Sequence, residues 1–269
     1  MTPVKPSQAV DTHAHVFSAY APAVPGARYR PAYGADLSAW RALWPAAGIS
    51  HGVVVQPSFF GLDNREMLET LSSDPKRLRG VAVLDPIADA ATLDRFHARG
   101  VRAIRLNVRG TKGYDGFVTP AWRAFLDRVH QRGWHVEVFV DPGRLPDIAA
   151  VFAATALNVV FDHFGNPGLD PLAIDASFRA VERLAESRQV WVKLSAAYRI
   201  GSAEPRELAA KWIDIVGPQR VLWASDWPWT GHESGRDYGA LRAQLDDWID
   251  PGLAAAVLWD NPARLYQFD

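Results

Sequence analysis

Two histidines and an aspartate at opposite ends of this chain have the types and spacing for acid–base or metal chemistry. Asp11-Thr12-His13-Ala14-His15 closes the first apolar run, and the last such run, Val221-Leu222-Trp223-Ala224-Ser225, ends in Asp226. Residues i and i+2 of a strand face the same side, so His13 and His15 converge on one cavity. Imidazole titrates near neutrality and is the commonest metal ligand. A carboxylate arriving from the far end of the chain completes either a general-base set or a metal site of two imidazoles and one carboxylate with an open position. Taken alone, His-x-His also fits a chance pair on an edge strand; the remainder of the chain argues against that.

The elements that must position these residues recur regularly. β-rich runs cover Ala9–Thr12, Gly52–Gln56, Gly80–Leu84, Ala103–Val108, His135–Val140, Val159–Asp162, Val190–Leu194 and Arg220–Ala224. Most are continuously apolar, the pattern of parallel strands buried on both faces. Helical segments lie between them. Asp36 opens one that ends before Gly48, and Asp89 opens one that ends at Gly100. Thr119-Pro120 supplies an N-cap and a proline at the first helical position for one closing at Gly133; Glu204-Pro205 opens another ending near Gly217. Strand–helix alternation of this kind in 269 residues predicts an α/β protein, a (β/α)8 barrel forming one domain over residues 1–269. A doubly wound open sheet is the alternative, but no Gly-x-Gly-x-x-Gly follows the first run, which argues against its dinucleotide-binding form.

Active sites of such barrels lie at the C-terminal ends of the strands, so the residues closing each run are the candidates. They are His13 and His15; Gln56 and Ser58; Asp85; Arg105, Asn107 and Arg109; Asp141; Asp162 and His163; Ser195 and Arg199; and Asp226. Asp85 and Asp141 each precede a proline and read as turn or helix starters. Arg105 stands in an apolar strand, where a buried guanidinium calls for an anionic partner such as a substrate carboxylate. His51, His97, His130, His135 and His232 fall at strand starts, in helices or on a loop, away from this rim. The long segment between Val16 and Gly34 is expected on the same face, where loops of this length serve function.

Composition narrows the class. Apolar residues make up 48% and charged residues 22%, as in a protein with a sizeable core. A net charge of −1 leaves no footprint for nucleic acid or a membrane surface. The absence of cysteine excludes disulfides, thiolate zinc and a cysteine nucleophile, and fits a cytoplasmic protein. Neither a signal peptide nor a membrane span is apparent. The 11 tryptophans read as core, with one or two available to line a pocket.

These motifs resemble the amidohydrolase superfamily: Asp-Thr-His-Ala-His on strand 1, Asp162-His163-Phe164-Gly165 after strand 6, Ser225-Asp226-Trp227-Pro228 after strand 8, and the closing Asn261-Pro262-Ala263-Arg264-Leu265-Tyr266. Val55-Gln56-Pro57-Ser58 with Asp63-Asn64, Arg79-Gly80-Val81-Ala82-Val83, Arg105-Leu106-Asn107 and Trp191-Val192-Lys193-Leu194-Ser195 are similar to its lactonase branch, which holds the 2-pyrone-4,6-dicarboxylate lactonases and related sugar- and muconolactone hydrolases. The resemblance implies a barrel that opens a cyclic ester. It assigns Asp226 as the general base and His13, His15 and His163 to the scissile carbonyl, where their N–H groups meet the oxyanion. It assigns Arg105, Tyr29, Ser58 and Arg199, with Arg109, to the carboxylates of a small anionic substrate. The chain departs from the pyrone enzymes at Val138-Phe139, where they carry a tyrosine, and at Arg109, whose counterpart lies further along. Superfamily members often hold divalent metal, but this branch resembles a case needing none; a single zinc, if bound, falls to His13, His15 and Asp226. Alternatives are a sugar-lactone hydrolase of the same branch, a metal-dependent nonoxidative decarboxylase of the superfamily, and a barrel that binds a small carboxylate without turnover.

Overall fold

The computed structural model describes residues 8–20, 23–187, 189–201 and 203–269. Eight parallel strands follow chain order: β1 Val10–Ala14, β2 His51–Val55, β3 Leu78–Ala82, β4 Val101–Asn107, β5 His135–Phe139, β6 Val159–Phe161, β7 Val190–Leu194 and β8 Val221–Trp223. After β8 the chain returns to β1 through a parallel bridge between Ala14 and Trp227. The His15 N–H donates to the Trp227 carbonyl at 2.8 Å, and the Asp226 N–H to the His13 carbonyl at 3.0 Å. This is the (β/α)8 barrel that the sequence predicts.

The surrounding helices are α1 Leu37–Ala47, α2 Arg65–Ser73, α3 Ala90–Ala98, α4 Pro120–His130, α5 Leu145–Phe152, α6 Pro171–Ala185, α7 Pro205–Val216, α8 Tyr238–Trp248 and α9 Asn261–Tyr266. Of these, α1, α3, α4 and α7 begin where the sequence marks a helix start. The Asp36 carboxylate accepts the Ala39 N–H at 2.8 Å, and Asp89 accepts the Thr92 N–H at 2.7 Å. Such caps stabilise a helix by about 1 kcal/mol each. Asp85 does start a turn, accepting the Ile87 N–H at 3.0 Å. Asp141 starts one too, its carbonyl accepting the Arg144 N–H at 3.1 Å, while its carboxylate accepts the Gly110 N–H at 2.6 Å and Arg109 Nε at 3.4 Å and joins the loops after β4 and β5.

The strands read as continuously apolar because both faces are covered. Val54, Ile104, Val136, Val138, Phe161 and Val192 point outward beneath the helices. Val10, Val53, Val81, Ala103, Val160 and Leu222 point inward, where Tyr266 and Phe268 close the floor. Trp40, Trp134, Trp191, Trp212 and Trp223 are fully buried, each a large apolar contribution to that core. Above the apolar floor the interior becomes ionic, with Arg105, Glu137, Asp162 and Lys193 all buried.

The β8–β1 seam is fastened by Asp11. Its carboxylate accepts from the Ser225 N–H at 2.9 Å, Ser225 Oγ at 2.5 Å, Tyr238 Oη at 2.9 Å and Trp40 Nε1 at 3.1 Å. A bulge lies here: Asp11 pairs with Gly52 but Ala14 with Val54, so β1 carries one residue more than β2. Asp11 thereby serves α1 and α8 while His13 enters the barrel. Among the described residues, no helix is long and apolar enough to cross a membrane.

Candidate active site

The C-terminal mouth of the barrel holds a cavity of about 290 Å³. His15 from the end of β1, Ser58 after β2, Arg105 and Arg109 from β4 and its loop, His163 after β6, Arg199 after β7 and Asp226 after β8 all line it, with Tyr29 from the long β1 loop. His13 does not. It lies just beneath, fully buried, with its ring 5.0 Å from those of both His15 and His163. No tryptophan of the described residues lines the cavity.

Local backbone geometry turns these groups inward. His163, Ala196 and Asp226 follow β6, β7 and β8 with φ of 53°, 50° and 57°, the left-handed region that non-glycine residues rarely adopt. Tertiary contacts hold them there. The Trp229 N–H donates to the Asp226 carbonyl at 2.7 Å, and Trp212 Nε1 to the Phe164 carbonyl at 2.8 Å. Strain maintained in this way clusters at functional sites.

Asp226 has two unequal oxygens. Oδ2 accepts from Tyr198 Oη at 2.7 Å and Arg199 Nε at 2.9 Å. Oδ1 has longer neighbours, His163 Nε2 at 3.5 Å and His13 Nε2 at 3.8 Å. Burial opposes the charge, but the Arg199 guanidinium outweighs it and holds Asp226 well below the usual carboxylate range. Asp226 is therefore an anion with one oxygen held in place and the other turned toward the imidazoles.

The histidines are neutral and differently used. His15 Nδ1 lies 2.7 Å from the Val55 carbonyl, so that nitrogen carries the proton and Nε2 offers a lone pair. Burial, reinforced by Arg105, lowers its pKa to about 4. The expected His15 N–H for an oxyanion is thus already committed to the backbone. His163 Nδ1 lies 2.9 Å from Ser195 Oγ, and burial brings its pKa to about 4 as well. His13 takes a hydrogen bond at Nδ1 from Lys193 Nζ at 3.1 Å; burial, then Lys193 and Arg105, lower its pKa strongly.

Arg105 is not the unpaired guanidinium that its apolar strand suggested. Its Nη2 lies 3.5 Å from Asp162 Oδ2, and its Nη1 donates to the Gln56 carbonyl at 3.3 Å. Both contacts are long, and Nε is buried without a partner among the described residues. Tyr29 lines the cavity, but its hydroxyl bonds Glu233, whose Oε1 also accepts from Tyr33 Oη at 2.8 Å. Phe139 stands where a tyrosine was absent from the sequence, its ring 4.8 Å from that of His163.

Several participants escaped the sequence reading. Lys193 and Glu137 form a buried ion pair beneath His13. Arg28, in the long loop, lines the cavity and donates to Asn107 Oδ1 at 2.9 Å. Tyr198 sits beside a residue already singled out. The signal for the first two was a charge inside an otherwise apolar strand, in His135-Val136-Glu137-Val138-Phe139 and Val190-Trp191-Val192-Lys193-Leu194.

Among the described residues, two groups of donors lie within 4.8 Å of one another and have the composition of a metal site: His13, His163 and Asp226, and His13, Glu137 and Asp162. His15, expected among the ligands, is in neither. The first group suits a divalent cation chemically, provided that both Nε2 atoms present lone pairs.

A (β/α)8 barrel with imidazoles from β1 and β6 and a carboxylate from β8 at its mouth defines a class of barrel enzyme. Residues 10–268 match the amidohydrolase family, and the chain belongs to it. It is 31% identical to the 2-pyrone-4,6-dicarboxylate hydrolase of Comamonas testosteroni, over 97% of this chain and 90% of the relative. It is 29% identical to the 4-sulfomuconolactone hydrolase of Rhizobium radiobacter, over the same shares. A candidate 2-pyrone-4,6-dicarboxylic acid hydrolase from Acinetobacter baumannii, solved with citric acid bound, superposes with a TM-score of 0.85 at 29% identity, covering 97% of this chain and 99% of that one.

Proposed function

We propose that this protein hydrolyses a small lactone bearing at least one carboxylate, with Asp226 activating the attacking water. One observation carries the reading: Arg28, Arg105, Arg109 and Arg199 line the cavity against a single carboxylate, Asp226. Each guanidinium already has a partner, but the lining carries more cations than anions, and that excess favours an anionic ligand over a neutral one. The activities named for the two relatives, both on anionic lactones, support the same class.

In this reading water rests on Asp226 Oδ1, the oxygen not occupied by Arg199 and Tyr198. Asp226 takes a proton as the water oxygen bonds to the lactone carbonyl carbon. The carbonyl oxygen gains charge and is met by the N–H group of His163, not of His15. Collapse breaks the ring C–O bond, and the proton on Asp226 passes to the departing oxygen, giving a hydroxy acid. Arg105, Arg109 and Arg199 hold the substrate's carboxylate, Ser58 contacts it from β2, and Phe139 supplies an apolar wall. Donors fixed in place before the charge develops are worth several kcal/mol of barrier.

His13, His163 and Asp226 are the residues that would hold a divalent ion such as zinc, which when bound would polarise the carbonyl and acidify water. That group is also the one observation favouring the second reading, metal-dependent decarboxylation. Incubation with carboxylated lactones at neutral pH, followed by acid release and carbon dioxide, separates the two. Acid release without carbon dioxide, before and after chelator treatment, is the expected result. We place the enzyme in the cytoplasm as a consequence of its cysteine-free composition.

A further inference from the structure

Beneath the cavity, the Lys193 ammonium meets three acceptors: Glu137 Oε2, Asp162 Oδ1 at 3.2 Å and His13 Nδ1 at 3.1 Å. Glu137 and His13 accept hydrogen bonds from this ammonium, and Asp162 Oδ1 pairs with its charge without hydrogen-bond geometry. All four side chains are excluded from solvent. The three acceptor residues are also the second group whose donor atoms lie within 4.8 Å of one another. Two carboxylate oxygens and an imidazole nitrogen make a donor set for a first-row divalent cation. Charge balances as well, because Lys193 and Arg105 face Glu137 and Asp162 across the barrel interior.

We propose that Lys193 is a resident cation, occupying the place of a divalent metal in the group formed by His13, Glu137 and Asp162 and excluding metal from it. A covalently attached ammonium cannot be lost to a chelator or exchanged. The assignment holds whichever lactone is opened.

Removing the ammonium should convert the group into a metal site. The test is titration of metal-stripped protein with Co²⁺, read by visible absorption and by the thermal midpoint. Lys193→Ala is expected to take up one more equivalent of Co²⁺ per chain than the native protein, with new absorption bands and a raised midpoint. Glu137 belongs to this group and not to the one containing His163 and Asp226, so Lys193→Ala/Glu137→Gln should lose the added equivalent. Equal uptake by native protein and Lys193→Ala, or an added equivalent that survives Glu137→Gln, overturns the proposal. Should Lys193→Ala fail to fold even with Co²⁺, native crystals soaked in Co²⁺ decide. An anomalous peak between His13, Glu137 and Asp162 contradicts it, and a centre without one upholds it.

Discussion

Arg199 Nε lies 2.9 Å from Asp226 Oδ2, and this contact decides which carboxylate oxygen faces the chemistry. It also carries a cost: a carboxylate held so far down is a weak base. Removing the guanidinium in Arg199→Met should raise the pKa of Asp226, because a favourable interaction with the charged form is lost. The acid limb of the kcat–pH profile should therefore move to higher pH, while KM for a carboxylated lactone rises about 10-fold or more. An unmoved acid limb would show that Arg199 does not control this carboxylate. Asp226→Asn, which cannot take the proton, should lower kcat by at least about 10²-fold with the fold retained by circular dichroism.

Asp11 fastens the seam without facing the cavity. Asp11→Ala would leave the donors of Ser225, Tyr238 and Trp40 buried without their acceptor. A loss of about 3 kcal/mol or more is expected, because each buried donor left without an acceptor costs about 1–3 kcal/mol. Denaturant unfolding measures it; a loss below about 1 kcal/mol would mean that the β8–β1 seam is held elsewhere.

The long β1 loop is tied across the mouth by Glu233, which binds Tyr29 and Tyr33. Glu233→Ala should free the loop and with it Arg28 and Tyr29, raising KM several-fold while kcat changes by less than about 2-fold. A fall in kcat alone would place Glu233 in the chemistry and contradict its role as a clasp.

Stability should depend on pH in a direction set by the buried imidazoles. His15 and His163 have pKa values of about 4 against an ordinary 6.5, both through burial. Between those values the unfolded chain binds more protons than the folded one, so stability rises with pH. The depressed Asp226, Asp162 and Glu137 act in the same sense below the usual carboxylate range. The thermal midpoint should be level above about pH 6.5 and fall steadily toward pH 4. A midpoint unchanged down to pH 4.5 would show that these histidines are not neutral in the folded protein.

Much of this was legible because parallel strands buried on both faces write continuous apolar runs, and because Asp36, Asp89 and Thr119 write their helix starts. The site was legible as far as strand ends could be read: His163, Arg105, Arg199 and Asp226 are where that rule places them. Lys193 and Glu137 were missed because they lie inside strands β7 and β5, whose meeting across the barrel no single strand reveals. The commitment of His15 Nδ1 to the Val55 carbonyl, and of Arg105 to Asp162, likewise depends on partners from other strands. The bulge in β1 has no mark in the sequence, yet it sends Asp11 and His13 to different layers.

The central claim is that the guanidiniums at the mouth select a carboxylated lactone. It is tested most directly by kcat/KM for such a lactone against its neutral methyl ester, in the native protein and in Arg105→Met. The native enzyme should prefer the acid by at least about 30-fold, and Arg105→Met should lose at least about 2 kcal/mol of transition-state binding for the acid with little change for the ester. Equal rates on acid and ester in the native protein, or the same preference kept in Arg105→Met, would contradict the account.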